Sequence, residues 1–228
     1  MGRQHLIIDA DDTLWENNVY FERAFDEFVD FLAHSTLSPE QVRDVLDEIE
    51  RVNARTHGYG SMNFGRNLAQ CYEGLAERQI EPNDLSTVMS LAERILEQPI
   101  EIIADVPETL ASLAERHELT LFTKGHAEEQ RLKIERSGLG RFFSHTAIVH
   151  EKDAPAYRAL VSERRMDPSQ SWMIGNSPRS DINPALEAGL NAVFVPHAQT
   201  WVLEREDIRP GEGRLITVSR FAELLDHF

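Results

Sequence analysis

A short apolar run near the start of the chain ends abruptly in a cluster of carboxylates. Residues 6–8 read Leu-Ile-Ile, and carboxylates follow at once at Asp9, Asp11 and Asp12. Such a run is typical of a parallel strand that is buried on both faces. Ligands of open parallel sheets bind just beyond the carboxyl ends of the strands. The run therefore predicts negative charge at the place where such a fold carries out its chemistry.

Carboxylates this close together repel one another unless a cation joins them. Mg²⁺, a hard cation that prefers oxygen ligands, is the natural partner. The alternative is an acidic turn without a function, because Asp is common in turns. Polar residues at the ends of later strands decide between the two interpretations.

The composition of the 228-residue chain argues against partners that carry negative charge. Its formal net charge is −16 at pH 7, which opposes binding to nucleic acid or to an anionic membrane. No apolar run approaches the ~20 residues of a membrane helix, and the first residues show no signal pattern. The single cysteine, Cys71, excludes an intrachain disulfide. We expect a cytoplasmic protein that binds neither nucleic acid nor membranes.

The hydrophobic pattern sets a helical insertion apart from the rest of the chain. Residues 16–99 carry apolar residues at helical spacing and show no strand pattern. Helices are predicted there near 18–33, 39–57, 62–79 and 82–99.

Strand and helix patterns alternate from about residue 100 onward. Strands are predicted near 118–125, 146–149, 171–175, 191–195 and 215–218. A closing helix is expected over 221–228, and the polar stretch 197–213 is expected to be a loop. With the strand at 6–8, this alternation predicts an α/β domain built on a Rossmann-like, doubly wound parallel sheet.

Polar residues follow three of these later strands. Thr123 ends the first, Lys152 lies just beyond the second, and Asn176 and Asp181 follow the third. The chain has only three lysines against 20 arginines, which sets Lys152 apart from an ordinary surface lysine. Because the carboxyl ends of parallel strands meet at one edge, these residues are expected to converge with the first carboxylates.

In this order the residues resemble the motifs of the haloacid dehalogenase superfamily of aspartate-nucleophile hydrolases. Residues 9–13 match its first motif, Asp-x-Asp-x-Thr after a hydrophobic strand. The strand 119–123 ends in Thr as its second motif does, and Lys152 matches the third. Residues 175–176 and Asp181 match the fourth, Gly-Asp followed by four residues and Asp. The resemblance implies an HAD-like core with an inserted helical cap.

The resemblance places the domain boundaries and exposes two departures. The core would comprise residues 1–15 and 100–228, and the cap residues 16–99. Asp12 stands where many members have glycine, but Asp tolerates the left-handed backbone better than most residues. Asn176 stands where the fourth motif usually begins with an acid, so its oxygen could bind a metal but brings no charge.

The resemblance also implies a catalytic set. Asp9 would attack phosphorus and form an aspartyl-phosphate. Asp11 would protonate the leaving alcohol and then deprotonate the attacking water. Thr123, Lys152 and the backbone near Lys124 would bind the phosphate oxygens.

A metal set follows from the same motifs. Mg²⁺ would be held by Asp9, the backbone carbonyl of Asp11, Asn176 and Asp181, and would offset the repulsion between a carboxylate and a phosphate dianion.

The motifs favour a Mg²⁺-dependent phosphatase acting on a small phosphorylated metabolite. Dehalogenases of the superfamily lack an equivalent of Asp11, whereas phosphomutases share it. Two alternatives remain. One is a sugar phosphomutase or a dehalogenase on the same scaffold, and the other is a binding or regulatory protein whose catalysis is weakened by Asn176. Trp15, just after the first motif, is a candidate for leaving-group contact or for core packing. A monomer and a homodimer are both compatible with the sequence.

Overall fold

The computed structural model of the protein describes residues 2–228. A parallel β-sheet forms the core of the larger of its two parts. The strands of this range are β1 (His5–Ile8), β2 (Glu118–Lys124), β3 (His145–Val149), β4 (Ser171–Gly175), β5 (Asn191–Phe194) and β6 (Leu215–Thr217). All neighbours pair in parallel, in the spatial order β3-β2-β1-β4-β5-β6. This is the strand order of Rossmann-type sheets. The predicted fold class is confirmed.

Strand β1 lies in the middle of the sheet, and its side chains explain why it reads as a continuous apolar run. Leu6 and Ile8 belong to one hydrophobic cluster, together with Leu110 and Leu113. Ile7 points to the opposite face and joins a second cluster that contains Tyr157. Because both faces of a parallel sheet are covered, a central strand has no polar face.

Helices occupy the connections and the insertion. The α-helices of the described residues are α1 (Asn18–Leu32), α2 (Pro39–His57), α3 (Ser61–Leu75), α4 (Pro82–Glu93), α5 (Val106–Arg116), α6 (Ala127–Ser137), α7 (Ala154–Arg164) and α8 (Asn183–Glu187). The chain divides into two units, one ending at Glu16 and resuming at Ile100, the other spanning Asn17–Pro99. No helix within residues 2–228 combines the length and the apolar character needed to cross a membrane.

The helical unit has a hydrophobic core of its own. Phe28, Leu46 and Leu68 are fully buried in it. Its helix α2 begins with a capping box, in which Ser38 and Gln41 satisfy each other's backbone N–H groups. Cys71 is buried in the same core, and burial, together with the nearby Glu50 charge, raises the pKa of its thiol to about 12. Cys71 is therefore a packing residue at neutral pH.

Three helix predictions differ from the structure. Helix α4 ends at Glu93 and not near 99, and a 3₁₀ turn, Arg94–Glu97, follows it. Helix α3 ends at Leu75 and not near 79, because Arg78 pairs instead with Asp84, whose carboxylate accepts the Glu81 N–H at the start of α4. The chain end forms a 3₁₀ helix, Phe221–Asp226, in place of an α-helix. Its two buried residues, Phe221 and Leu224, are three positions apart, which matches the 3₁₀ repeat.

We expect Leu68→Ala to lower the free energy of unfolding by about 3 kcal/mol, because the substitution leaves a cavity in a closely packed core. Urea unfolding followed by circular dichroism would measure the change. Val52→Ala on α2 is the matched control, since Val52 is 57% exposed and its loss should change stability by less than about 0.5 kcal/mol. Equal effects of the two substitutions would contradict a separate core in the helical unit.

Candidate active site

The candidate site lies where the strand order of the sheet reverses, between β1 and β4. Ile8 pairs with Ile174 at the ends of these strands, and the backbone N–H of Asp9 continues the ladder to the Ile174 carbonyl at 2.9 Å. Asn176 follows directly on β4. Crevices at such a switch point are the usual ligand sites of open α/β sheets. The first and fourth motifs therefore start side by side.

The loop after β1 is a tight turn that depends on one left-handed residue. Asp12 has φ 58°, as expected for an Asp in a position that often requires glycine. The N–H of Leu14 donates to the Ala10 carbonyl at 2.8 Å, and that of Asp12 donates to the Trp15 carbonyl at 2.8 Å. Trp15 is fully buried, which assigns it to core packing.

A buried ion cluster joins three of the predicted site residues. The Lys152 ammonium donates to Asp9 Oδ1 at 2.5 Å and also to Asp181 Oδ1. It further contacts the Phe122 carbonyl of β2 at 3.4 Å. All three charged side chains are almost completely buried. The ends of β1, β3 and β4 are thus connected through one ammonium group.

The charges of this cluster do not cancel. Burial raises the pKa of both Asp9 and Asp181, and the attraction of Lys152 opposes that shift without reversing it. Burial also lowers the pKa of Lys152, but the charges of Asp181 and Asp9 outweigh it and hold its pKa above the usual value. When both carboxyl groups are ionised, two negative charges against one ammonium leave a net negative charge in a dry environment. A further cation would be stabilised there.

A threonine hydroxyl links Asp9 to Asn176. Thr13 Oγ1 lies 3.0 Å from Asp9 Oδ2 and 3.3 Å from Asn176 Oδ1. Both oxygens therefore face the same hydroxyl group. Asp9, Asn176 and Asp181 together present carboxylate and amide oxygens, the ligand types that Mg²⁺ prefers, so the chemistry of the donor set fits this ion.

Asp181 is held by the turn that follows β4. Its Oδ2 accepts the Ser177 N–H at 2.9 Å, and the Ser177 side chain caps the short helical turn Pro178–Ile182. Gly175 is required beside it, because a Cβ at this position would overlap the Asp181 carboxylate. The glycine of the fourth motif thus makes room for its acid.

Asp11 does not join the ion cluster through its side chain. Its carboxylate accepts four hydrogen bonds: Trp15 Nε1 at 2.8 Å, Gln130 Nε2 at 2.8 Å, and Lys133 Nζ at 2.6 and 2.7 Å. A carboxylate offers about four lone-pair positions. To exchange a proton with a ligand, Asp11 must give up one of these hydrogen bonds.

The donors around Asp11 also set its charge. Burial acts to raise the pKa of Asp11, but the Lys133 charge and the hydrogen bonds from Lys133, Gln130 and Trp15 outweigh it and lower the pKa. Neither Gln130 nor Lys133 was predicted from the sequence. Two signals were available: Lys133 is one of only three lysines, and the two residues are three positions apart, on one face of α6.

The second motif lies at the same edge of the sheet. Ile8 pairs with Leu121, so Thr123 lies two residues further along β2, buried and level with the loop after β1. The side chain of Lys124 turns away to Glu204, with 2.5 Å between Nζ and Oε1, and to Ser180 at 2.8 Å. Any contact of Lys124 with a phosphate would therefore come from its backbone.

Glu204 is a further residue whose role the sequence did not reveal. It belongs to the polar segment expected to be a loop, which contains one 3₁₀ turn, Val202–Glu204. Glu204 is buried, pairs with Lys124 and accepts a hydrogen bond from Ser177 Oγ at 2.5 Å. Burial acts to raise its pKa, but Lys124 and the serine hydroxyls lower it. The segment is thus attached to the loops after β2 and β4.

A second group of possible metal ligands lies near the first loop. Among the described residues, ligand atoms of Asp12, Glu16 and His197 lie within 4.8 Å of one another. The His197 ring accounts for this proximity, since its Nε2 is 3.2 Å from Glu16 and its Nδ1 is 3.9 Å from Asp12. The predicted ligand set around Asp9 differs from this second group because the buried Lys152 ammonium contacts two of its carboxylates.

A family model described as haloacid dehalogenase-like hydrolase matches residues 6–195. The chain belongs to this family. The match includes all four motifs and the helical insertion between the first and the second. The protein is accordingly a hydrolase with an HAD-like core.

Two solved structures and one further protein are similar to the chain. A haloacid dehalogenase-like family hydrolase from Xanthomonas campestris is 31% identical, with a TM-score of 0.86, over 99% of this chain and 90% of that chain. A 2-haloacid dehalogenase from Pseudomonas syringae shares the fold, with a TM-score of 0.63 at 19% identity, over 98% and 97% of the two chains. A phosphoserine phosphatase from Thermus thermophilus is 32% identical over 98 residues, which is 39% of each chain.

We expect Lys124→Met and Glu204→Gln each to lower the free energy of unfolding by about 3 kcal/mol, because each leaves a buried polar partner unpaired. The double variant should lose less free energy of unfolding than the two single variants lose together. The difference, the coupling energy of the double-mutant cycle, should be roughly 1–3 kcal/mol. Urea unfolding of the four proteins would measure it.

The exposed pair Arg158–Glu187 provides the control cycle. Its coupling energy should stay below about 1 kcal/mol, because water screens both charges. Equal coupling in the two cycles would mean that burial does not strengthen the Lys124–Glu204 pair.

Proposed function

We propose that the protein hydrolyses a small phosphomonoester through an aspartyl-phosphate on Asp9. The observation that carries this proposal is Asp11, a second carboxylate two residues after the nucleophile, at the edge of the sheet where Lys152 holds Asp9. Displacing a halide from carbon needs no proton donor, whereas expelling an alcohol from phosphorus does. A carboxyl group in this position is therefore what a phosphatase needs and a dehalogenase does not.

The first half-reaction begins with Asp9. A carboxylate oxygen of Asp9 attacks phosphorus in line as the bond from phosphorus to the ester oxygen breaks. The leaving oxygen takes a proton from Asp11, which must first take up that proton and give up its hydrogen bonds from Lys133, because Lys133 otherwise keeps the carboxylate ionised. In the second half-reaction Asp11 takes a proton from water, the water oxygen bonds to phosphorus, and the bond to Asp9 breaks. Phosphate is released, Asp9 is again a carboxylate and Asp11 again carries the proton with which the cycle began.

Other residues of the edge stabilise the charge of the phosphoryl group. The Lys152 ammonium restrains the nucleophile and would bind a phosphate oxygen by giving up one of its three contacts. Thr123, at the end of β2, offers a hydroxyl donor. Backbone N–H groups near Asp11 and Lys124 complete the set. Mutual orientation of these donors, rather than any single one, lowers the barrier.

Mg²⁺ would be held by the side chains of Asp9, Asn176 and Asp181 and by the backbone carbonyl of Asp11. When bound, the ion would supply the positive charge that allows a carboxylate to approach a phosphate dianion. The excess of negative charge around Lys152 supports a divalent cation here. The magnesium bound to a Bacillus subtilis HAD-hydrolase with the same fold, at 14% identity and a TM-score of 0.70, is consistent with it.

The substrate is proposed to be a small phosphorylated metabolite. The partial match to a phosphoserine phosphatase supports the phosphomonoester class. The unit Asn17–Pro99 is proposed to be the cap that selects the leaving group, because it is inserted directly after the loop that carries Asp9 and Asp11. Lids of this kind exclude water from the reaction.

We expect the wild type to release phosphate from p-nitrophenyl phosphate or from members of a phosphomonoester panel only when Mg²⁺ is present. Asp9→Asn should lower the rate by at least ~10³-fold, because an amide cannot form the phosphoenzyme. A phosphate-release assay would measure both effects.

Asp226→Asn, an exposed residue in the terminal 3₁₀ helix, is the control and should retain full activity. Chloride release from 2-chloroalkanoates, with no phosphate release from the panel, would overturn the proposal in favour of a dehalogenase. Conversion of a sugar phosphate into its isomer, without free phosphate, would establish a mutase.

We expect Asn176→Asp to bind Mg²⁺ more tightly than the wild type, because it adds a charged ligand to the set. Without metal, the third carboxylate beside Asp9 and Asp181 should lower the free energy of unfolding by roughly 3 kcal/mol. Isothermal titration calorimetry and thermal unfolding with and without Mg²⁺ would measure the two effects. Unchanged affinity would contradict the placement of Asn176 among the ligands.

A further inference from the structure

The chain that leaves β5 contacts the candidate site at Thr200 as well as at Glu204. Thr200 is 6% exposed, and its Oγ1 accepts a hydrogen bond from Asn176 Nδ2 at 2.9 Å. The same hydroxyl donates to the His197 carbonyl at 2.9 Å. Asn176 is thereby held from both ends of its amide, since its Oδ1 faces Thr13. The contact spans 24 residues of sequence and ties the fourth motif to the segment after β5.

An asparagine amide has two chemically different ends, and only its oxygen can bind a cation. Its surroundings here do not favour the observed orientation on charge alone. Asn176 Oδ1 lies on the side of the Asp9 carboxylate, because both groups contact the Thr13 hydroxyl. A carboxylate attracts the NH₂ end of an amide and repels its oxygen. Without a restraint, the amide would gain by turning its NH₂ group toward Asp9.

The Thr200 hydroxyl supplies that restraint. A hydroxyl has a single proton, and here the His197 carbonyl receives it. The Thr200 oxygen is therefore left as an acceptor, which suits the NH₂ end of Asn176 and not its oxygen. The backbone of the segment reinforces this arrangement, since the Thr200 N–H also donates to the His197 carbonyl at 3.2 Å. The direction of the two hydrogen bonds fixes which end of the amide lies against the Thr13 hydroxyl, which Asp9 also contacts.

We propose that Thr200 is a positioning residue that holds the Asn176 oxygen toward the Mg²⁺ ligand set. The inference rests on the proposed metal site, and it assigns a role to a residue outside all four motifs. An acid at position 176 would have two equivalent oxygens and would need no such restraint. The Thr200–Asn176 pair therefore replaces a charged ligand with an oriented neutral one. Partners of this kind typically change metal affinity by about 10–100-fold.

The test measures Mg²⁺ affinity by isothermal titration calorimetry, independently of catalysis. Thr200→Val keeps the shape of the side chain and removes the hydroxyl, and should weaken Mg²⁺ binding by about 10-fold. Thr200→Ser keeps the hydroxyl and should bind as the wild type does. Thr200→Ala gives the same comparison if the valine variant does not fold. Thr217→Val, on the exposed part of β6, is the matched control and should leave the affinity unchanged.

The decisive comparison repeats Thr200→Val in an Asn176→Asp background. The effect of the valine should disappear there, because a carboxylate needs no choice of orientation. An equal loss of affinity in both backgrounds would show that Thr200 acts on the site in some other way and would overturn the inference. Wild-type affinity in Thr200→Val would overturn it as well. Failure of the wild type to bind Mg²⁺ would instead reject the proposed metal site itself.

Discussion

A buried ammonium group between two buried carboxylates is the interaction on which the rest of the site depends. Lys152, which follows β3, reaches across the end of β2 to Asp9 after β1 and also contacts Asp181, which follows β4. One side chain thus connects the ends of β3, β1 and β4. Removing charges from water is costly, and such a cluster persists only because each charge has its partner. The strand order makes this possible, since it brings the loops after β1 and β4 together.

Much of the fold follows from local patterns in the sequence. The apolar run of β1 predicted a central parallel strand because both of its faces are covered, and the alternation of patterns after residue 100 predicted the sheet. Two of the helix corrections have a common origin. Segments 76–79 and 221–228 carry helical spacing, but contacts outside each segment decide their form: Arg78 pairs with Asp84, and Phe228 packs against Trp172. Periodicity alone does not report such contacts.

Only part of the candidate site was predicted, because the sequence pattern again does not report contacts between distant segments. Residues directly after strands could be placed together, because parallel strands share an edge. Gln130 and Lys133 lie on α6, and Glu204 and Thr200 lie beyond β5, so no strand end marked them. Their partners are charged or polar groups of other loops. A sequence shows that a carboxylate such as Asp11 needs partners, but it does not say which donors the fold will supply.

The use of lysine in this chain has a consequence for its chemistry. The structure gives all three lysines carboxylate partners at this single edge: Lys124 with Glu204, Lys133 with Asp11, and Lys152 with Asp9 and Asp181. Their side chains are only 12%, 15% and 2% exposed, whereas the outer surface carries arginine. Reagents that modify ε-amino groups would therefore leave the native surface untouched. Lysine acylation of this protein would report on the opening of one small region, with no background from the rest of the molecule.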